Sequence, residues 1–548
     1  MGDKKQVIKD TFKFTSARYI SQGLGFFTAI AMRRFLGPFY MGMWSLLKVL
    51  LGYVAYLFMG VDQGALNKIP LYAGQGDEKA EGEVRNNLFG FMLLVSVAAA
   101  IVLFAAAVCL RHVYPREVIF GLYVLSAYVI LENMCAFYQL LLRTKHNFSV
   151  LSKSIIFESA VNLILILLLV RNFKIYGLYI AIVLTALLNI LFMRVLARYR
   201  IRFNLNMRRL FDLARTGFPI TIVGLLQWAL ASLDRIMIAG MIGVTFVGYY
   251  SIPVMAKNYI SQLSGFGTVL YPRLMEAYGK RQNVEDIKKY AIIPPMINAY
   301  ILPVVLGIMF FVGPLLIKKI LPQFSPGILA MQILLLSMFF ESSRVQAFHF
   351  IVAMKKQVRV IPLVVGAIIL NAVGNYMFIK KGYGIYGVAW ATSIVTFLSF
   401  VVMQSYAMKH FARAREIFQF IVKIVFPLVY TVAAVLLLEK YIVIRNAYLE
   451  VIIKSCSLVF LSAPLFIYIN KVTGIITLLY SILKDKIFEK FSGSIAFRDE
   501  EVRESGHGKY DIVFWAHSNN ETDRYLPLLA GLKERGIKAL LFYKQFKA

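Results

Sequence analysis

LGPFYMGMWSL, Leu36–Leu46, is echoed by IGVTFVGYYSI, Ile242–Ile252. Laid together, Gly37 meets Gly243, Gly42 meets Gly248 and Ser45 meets Ser251, each pair about 206 residues apart. A second echo repeats the spacing: the IYG of Ile175, Tyr176 and Gly177 recurs at Ile385, Tyr386 and Gly387, about 210 residues on. Two matches at nearly one offset indicate a duplication, and the residues around them say what was duplicated.

Hydrophobic residues make up 59% of the 548 and charged residues only 16%. The mean hydropathy is +0.68. That balance excludes an ordinary soluble domain. The apolar residues fall in runs such as LLVSVAAAIVLFAAAVCL, Leu93–Leu110, long enough to cross about 30 Å of hydrocarbon as a helix. About fourteen such runs follow one another, and about six of them, an even number, separate the two copies. Both copies therefore run the same way through the membrane, as a parallel repeat about an axis along its normal. The expected architecture is an all-α polytopic membrane protein of about fourteen transmembrane helices. It has an N-lobe at 1–205 (helices 1–6), a C-lobe at 206–412 (helices 7–12) and an extra pair of helices at 413–470. Gly37, Gly42, Gly243 and Gly248 read as structural turn residues, placed where a tight outer turn demands positive φ or close packing.

The net charge of +31 raises the question of nucleic acid, and its placement answers it. With Lys4, Lys5, Lys9 and Lys13 inside, the inner loops carry about 28 Lys and Arg and the outer loops about 10, the asymmetry that orients spans. Both termini are expected in the cytoplasm. The densest cluster, ARYRIRFNLNMRRLFDLAR at Ala197–Arg215, reads as an anchor to anionic lipid heads; no nucleic-acid partner is expected. Cys109, Cys135 and Cys456 lie in apolar runs without paired spacing, so they read as packing residues with no disulfide or metal role. The first apolar run is too long for a cleaved leader and should remain as an anchor. Outer loops of about ten residues or fewer, with His112 as their only histidine, leave no catalytic domain outside. No catalytic residue, metal or organic cofactor is expected, and the chain reads as a transporter.

Four stretches carry a family resemblance. RRFLGPFYMGMWSL (Arg33–Leu46), GVDQGALNKIPLYAGQGD (Gly60–Asp77), LDRIMIAGMIGVTFVGYYSIP (Leu233–Pro253) and VLYPRLMEAYGK (Val269–Lys280) resemble the polysaccharide-exporter branch of the multidrug/oligosaccharidyl-lipid/polysaccharide flippase superfamily, over residues 10 to 470. The resemblance implies twelve core helices with two added. It implies alternating access in the inner membrane, and a polyprenyl-pyrophosphate-linked oligosaccharide, such as an O-antigen or capsule unit, as substrate. Membrane lipids, glycosyltransferases and a polysaccharide polymerase are the implied partners. A peptidoglycan-precursor flippase and a small-molecule or drug antiporter of the same superfamily stand as alternatives. A membrane-embedded sugar polymerase or ligase, from a different class, should show a sizeable outer loop rich in Arg and His, which is lacking.

Carrying a pyrophosphate through hydrocarbon requires cations along the path, and ionisable residues within spans are the candidates. They are Arg18 on the first helix, Lys48 on the second, Arg235 on the seventh, Lys257 and Arg273 on the eighth and Arg344 on the tenth. Lys48 and Lys257 fall within one turn of each other under the repeat. Lipid-linked cell-wall-precursor flippases are similar in placing cavity cations on the first, second and eighth helices, which singles out Arg18, Lys48, Lys257 and Arg273. Arg18 and Arg273 also fit snorkelling to headgroups. Glu132, Glu158, Asp234 and Glu341 are candidates for proton or sodium coupling, or for ion pairing. Glu341 and Arg344 share a helix face at i,i+3, whereas Asp234 and Arg235 diverge by about 100°.

By resemblance, the extra helices offer a groove for the polyprenyl tail. Residues 471–491 alternate as a cytoplasmic interfacial amphipathic helix, 492–509 form a polar linker, and 510–548 read as a β-α-β unit. The last loosely resembles the opening of a nucleotide-sugar glycosyltransferase, with His517, Asn519 and Asn520 after its first strand. About 40 residues are too few to bury a stable core, so this segment is not expected to work as an enzyme.

Overall fold

The computed structural model describes residues 2–197, 199, 201–263, 274, 284–354, 356–473, 512–516 and 539–543, in two units, Met1–Ile469 and Asn470–Ala548. Arg273, the segments 474–491 and 492–509, and the loop with His517, Asn519 and Asn520 lie outside the described residues.

Up to Thr473 the regular elements among the described residues are all helices. α1 (Gly2–Val54) is followed by α2 (Val61–Gly74), α3 (Glu78–Cys109), α4 (Arg116–Thr144), α5 (Phe148–Leu165) and α6 (Arg171–Ala197). The second half continues with α7 (Met207–Met241), α8 (Val244–Leu263), α9 (Val284–Ile320), α10 (Ile328–Ala353), α11 (Ile361–Lys380) and α12 (Gly384–Met408), and then α13 (Ala414–Tyr441), α14 (Ala447–Leu461) and α15 (Ala463–Thr473). Side-chain oxygens of Asp77, Asn147, Asn206 and Asn446 cap α3, α5, α7 and α14, accepting from first-turn amides that would otherwise be unpaired.

At 53 residues, α1 would span about 80 Å if unbroken, more than two bilayer cores. It breaks at Gly37, with φ 73° and ψ 177°, immediately before Pro38. Gly243, at φ 127°, marks the same place in the second copy. A second pair of breaks falls at Lys174 (φ 51°) and Gly384 (φ 54°), each just ahead of an IYG. These breaks explain the number of spans. Eleven helical segments among the described residues are long and apolar enough to cross a membrane, rather than about fourteen. Two of them, Lys13–Phe58 and Phe148–Ala197, run 46 and 50 residues across such a break, and α8 is not among the eleven.

The packing repeats as the sequence does. α3 packs on α4, α4 on α6, α5 on α6 and α1 on α5. In the second half α9 packs on α10, α10 on α12, α11 on α12 and α7 on α11. The halves meet where α1 packs on α8 and where α2 packs on α7. α2 is a helix that hydropathy alone did not suggest, since it is short and polar. Its seat on α7 is glycine-made: a Cβ on Gly217 would collide with the Gly60 carbonyl, and one on Gly64 with the Leu213 backbone. Gly217→Val is therefore expected to cost about 3 kcal/mol through overpacking, read as a lowered Tm of the purified protein with the equivalent change at Gly240, which has open space around it, as the neutral comparison.

Outside the duplicated halves, α13 and α14 pack on α9. The buried Lys454 of α14 donates to Glu439 at 2.8 Å and Glu450 at 2.5 Å, tying the pair together. The cysteines correct one expectation: Cys135 is buried, but Cys109 and Cys456 are exposed. A thiol suits the lipid-facing side of a membrane helix as well as its packed side, and an apolar run does not tell the two apart.

In the second unit, β1 (Ile512–Ala516) and β2 (Ala539–Tyr543) pair in parallel, Ile512 opposite Ala539 and Ala516 opposite Tyr543. Parallel strands need a crossover between them, and the residues that would supply it are outside the described ones.

Candidate functional site

Where the halves meet, Lys48 lies within the electrostatic reach of two further cations, Arg33 and Arg235. Arg33 sits on the first limb of α1, Lys48 on the limb after the Gly37 break, and Arg235 near the end of α7. Arg33 and Arg235 are the cations whose fields bear on Lys48, with Glu132 as the carboxylate that does so. Arg33 reaches across to α8, donating through Nη2 to the Ser251 carbonyl at 3.0 Å, and through Nη1 to Ala29 at 3.0 Å. Arg235 donates to the Ala231 carbonyl at 3.3 Å and lies 5.7 Å from the centre of the Trp228 ring. The Lys48 ammonium stands 5.3 Å from the centre of the Trp44 ring and is exposed. Trp228 Nε1 donates to the Val49 carbonyl at 3.3 Å, and Tyr53 and Ser232 share a 2.8 Å hydrogen bond, so the cluster is framed by bonds between α1 and α7.

Among the described residues none of the three cations forms an ion pair. The buried Arg33 Nε, Arg235 Nε and Trp44 Nε1 have no hydrogen-bond partner. Grouped positive charge with idle N–H donors in a low-dielectric layer is costly unless an anion occupies it at some stage of the protein's work. Guanidinium groups are suited to phosphoryl oxygens by their planar donor fork.

The carboxylate beside Arg235 points elsewhere. Asp234 is buried in the second half and accepts from Tyr250 (2.7 Å), Thr392 (2.9 Å) and Asn375 (3.0 Å). Asn375 also donates to Asn371 at 2.9 Å, and Asn371 to Thr392 at 3.2 Å. Asp234 thus has a shell of neutral oxygen and amide groups from α8, α11 and α12 while Arg235 turns toward α1, the divergence expected of neighbours on a helix. The first half has its own carboxylates: Glu132 accepts from Tyr128 at 2.7 Å, and Glu158 from Asn189 at 2.7 Å and Gln139 at 3.5 Å.

The remaining sequence candidates disperse. Glu341 and the buried Arg344 pair at 2.6 Å within α10, and Lys257 lies in the electrostatic reach of Glu341. Lys257 thus falls in the field of Glu341 and Arg344, and Lys48 in that of Arg33 and Arg235 with Glu132 opposing them. Arg18 is exposed and feels Arg143. Gly42 lies against the Val244 carbonyl and Gly248 against the Pro38 carbonyl.

Arg33 was not singled out in the sequence. Its signal was present: in the orientation expected from the sequence, the Arg33–Arg34 pair falls at the outer end of the first span, against the positive-inside trend. Asn371 and Asn375 were missed too, although two amides at i,i+4 in an apolar run mark one polar helix face.

A family model described as polysaccharide biosynthesis protein matches residues 20–324. No curated protein matches the chain. The lipid II flippase MurJ in an inward closed conformation superposes with a TM-score of 0.64 at 12% identity, over 84% of this chain and 98% of that one. An inward-facing multidrug resistance MATE family transporter of the MOP superfamily gives a TM-score of 0.61 at 17% identity, over 70% and 94%. The outward-facing form of such a transporter gives 0.56 at 16%, over 73% and 95%. At these identities the likeness is one of fold.

Proposed function

The chain belongs to the polysaccharide biosynthesis protein family, and from that membership we propose that it is a flippase carrying polyprenyl-pyrophosphate-linked oligosaccharide from the cytoplasmic to the outer leaflet. The observation that carries this reading is the Arg33, Lys48 and Arg235 cluster at the junction of the two halves, with its unpartnered donors. A pyrophosphate leaving water forfeits hydration worth many kcal/mol; charge-assisted bonds from the cluster replace it. Two like-oriented halves rocking about that cluster would expose it to each side in turn. Glycosyltransferases would supply the lipid-linked glycan and a polymerase would consume it. An exporter of cationic drugs is disfavoured, because its substrate would meet like charge at this position.

Asp234 is the proposed coupling group. Its shell of Tyr250, Thr392, Asn371 and Asn375 offers neutral ligands to a carboxylate, which suits a proton or a sodium ion that comes and goes.

In proteoliposomes containing the purified chain, a fluorescent undecaprenyl-pyrophosphate oligosaccharide is expected to cross the bilayer at least about tenfold faster than in protein-free vesicles. Equal rates, with transport of a cationic dye instead, would refute the reading. Asp234→Asn is expected to retain substrate binding while transport under an imposed sodium or proton gradient falls to its gradient-free rate. A variant that still responds fully to the gradient places coupling elsewhere, with Glu132 and Glu158 next in line.

A further inference from the structure

Beside the cation cluster the first half forms a half-open cavity of about 570 Å³, walled by the second limb of α1, by α2, α3 and α4. That volume is within the range of small-ligand sites, about 300–1,000 Å³. Four charged residues line it, Lys48 and Arg143 against Asp62 and Glu132, so the formal charges cancel. Three amides, Gln63, Asn133 and Gln139, add both donors and acceptors. Trp44 and Tyr128 supply aromatic faces, and the Trp44 indole N–H is one of the donors without a partner.

A wall of this kind discriminates by chemistry. Lys48 is shared with the cation cluster, and the other charges of the cavity, Arg143 against Asp62 and Glu132, do not favour an anion there. A purely apolar ligand would leave the Trp44 indole N–H unpartnered and take water from the charged groups and from the free valences of amides that already donate to Asp62, Ser96 and Glu158, which is costly. A neutral, hydroxyl-rich ring satisfies both demands, with its hydroxyls on the amides and carboxylates and its C–H face on the aromatics. Lys48 belongs to both the cluster and the cavity wall, so a group joined to a bound pyrophosphate enters the cavity directly. Asp62 fits a role as hydroxyl acceptor: it lies on α2, it lines the cavity, and Gln63 donates to one of its oxygens at 3.0 Å, leaving the other for a sugar hydroxyl.

From these features, and resting on the flippase reading above, we infer that the cavity is a sugar subsite that holds the pyrophosphate-proximal, uncharged residues of the glycan. The DQG of Asp62, Gln63 and Gly64 thereby gains a role: its glycine seats α2 against Leu213, and its two polar side chains face the glycan.

The test uses the full chain in nanodiscs and three probes: undecaprenyl pyrophosphate alone, the same lipid bearing N-acetylglucosamine, and the same lipid bearing glucuronic acid. The neutral-sugar probe is expected to bind at least about tenfold more tightly than the bare pyrophosphate. Gln139→Ala, which removes an amide, and Ala136→Trp, which fills the cavity, should each bring that ratio to within about twofold of unity. A ratio undiminished in both variants overturns the subsite, as does a glucuronic acid probe that gains as much as the neutral one. Equal binding of all three probes to the unaltered chain also overturns it while leaving the flippase reading intact. Absence of binding by any probe overturns that reading and the subsite together.

Discussion

Replacing Arg33, Lys48 and Arg235 together by glutamine is expected to abolish measurable binding and transport of polyprenyl pyrophosphate while the protein still inserts and folds. Hydrogen bonds to charged groups contribute about 1.5–3 kcal/mol each. With tenfold in affinity for every 1.4 kcal/mol, any one substitution should weaken binding by about ten- to hundredfold. The triple loss will not be a simple product, because the three share one field and relax together. Binding of bare undecaprenyl pyrophosphate, measured at low and at raised salt, provides the reading; unchanged affinity in the triple variant would remove the cluster from the mechanism. Stability offers a check that separates function from architecture. Arg33 and Arg235 both repel Lys48, and none of the three has an ion pair among the described residues, so neutralising Lys48 alone should leave Tm unchanged or raise it while binding falls, the trade-off of a site built for a ligand. A structural role for Lys48 would lower both. Arg344→Gln should behave in the opposite way, since it strands Glu341 without its 2.6 Å partner and destabilises the second half.

The duplication and the membrane placement were legible because both are one-dimensional. A run of apolar residues needs no partner to be recognised, and an offset of about 206 residues aligns glycines whatever the fold. The candidate site was legible only in part, because it depends on which side chains converge. The offset pairs Lys48 with Lys257 in depth, yet the helices bring Lys48 to Arg33 and Arg235 and leave Lys257 beside Glu341. Arg33 escaped notice because it lies at the end of the first limb of α1, just before the Gly37 break, where charge reads as loop. Its burial against Ser251 is a property of α8, some two hundred residues away in the chain. Asp234 and Arg235 show the converse case. Their divergence follows from helix geometry alone and could be stated in advance, but the asparagines awaiting Asp234 on α11 could not be, since an amide in an apolar run has many places to bond.

Gly42→Val and Gly248→Val are each expected to stop transport by holding open the seam where α1 meets α8. In the structure Gly42 lies on the Val244 carbonyl and Gly248 on the Pro38 carbonyl, and a Cβ at either place would sit closer to that oxygen than atoms can approach. Pro38 and Val244 are themselves related by the repeat, so the two contacts are one contact seen twice, the signature of an isologous interface. Backbone against backbone leaves no flexible side chain to yield, and the strain must be relieved by moving one half away from the other. A thiol at Lys48→Cys, in a chain whose Cys109, Cys135 and Cys456 are replaced by serine, should then react with a membrane-impermeant reagent from the outer side at least about tenfold faster than without the valine. Gly240→Val, with nothing near its Cβ, should leave that rate unchanged. Symmetry adds a sharper demand. One wedge suffices to part a seam that closes as a unit, so the double variant should label no faster than either single one, which is the non-additivity expected of two sites acting on one equilibrium. Additive rates would mean that the two glycines report separate local motions and that the halves do not rock as rigid bodies, which would remove the alternating-access step from the proposed flippase cycle.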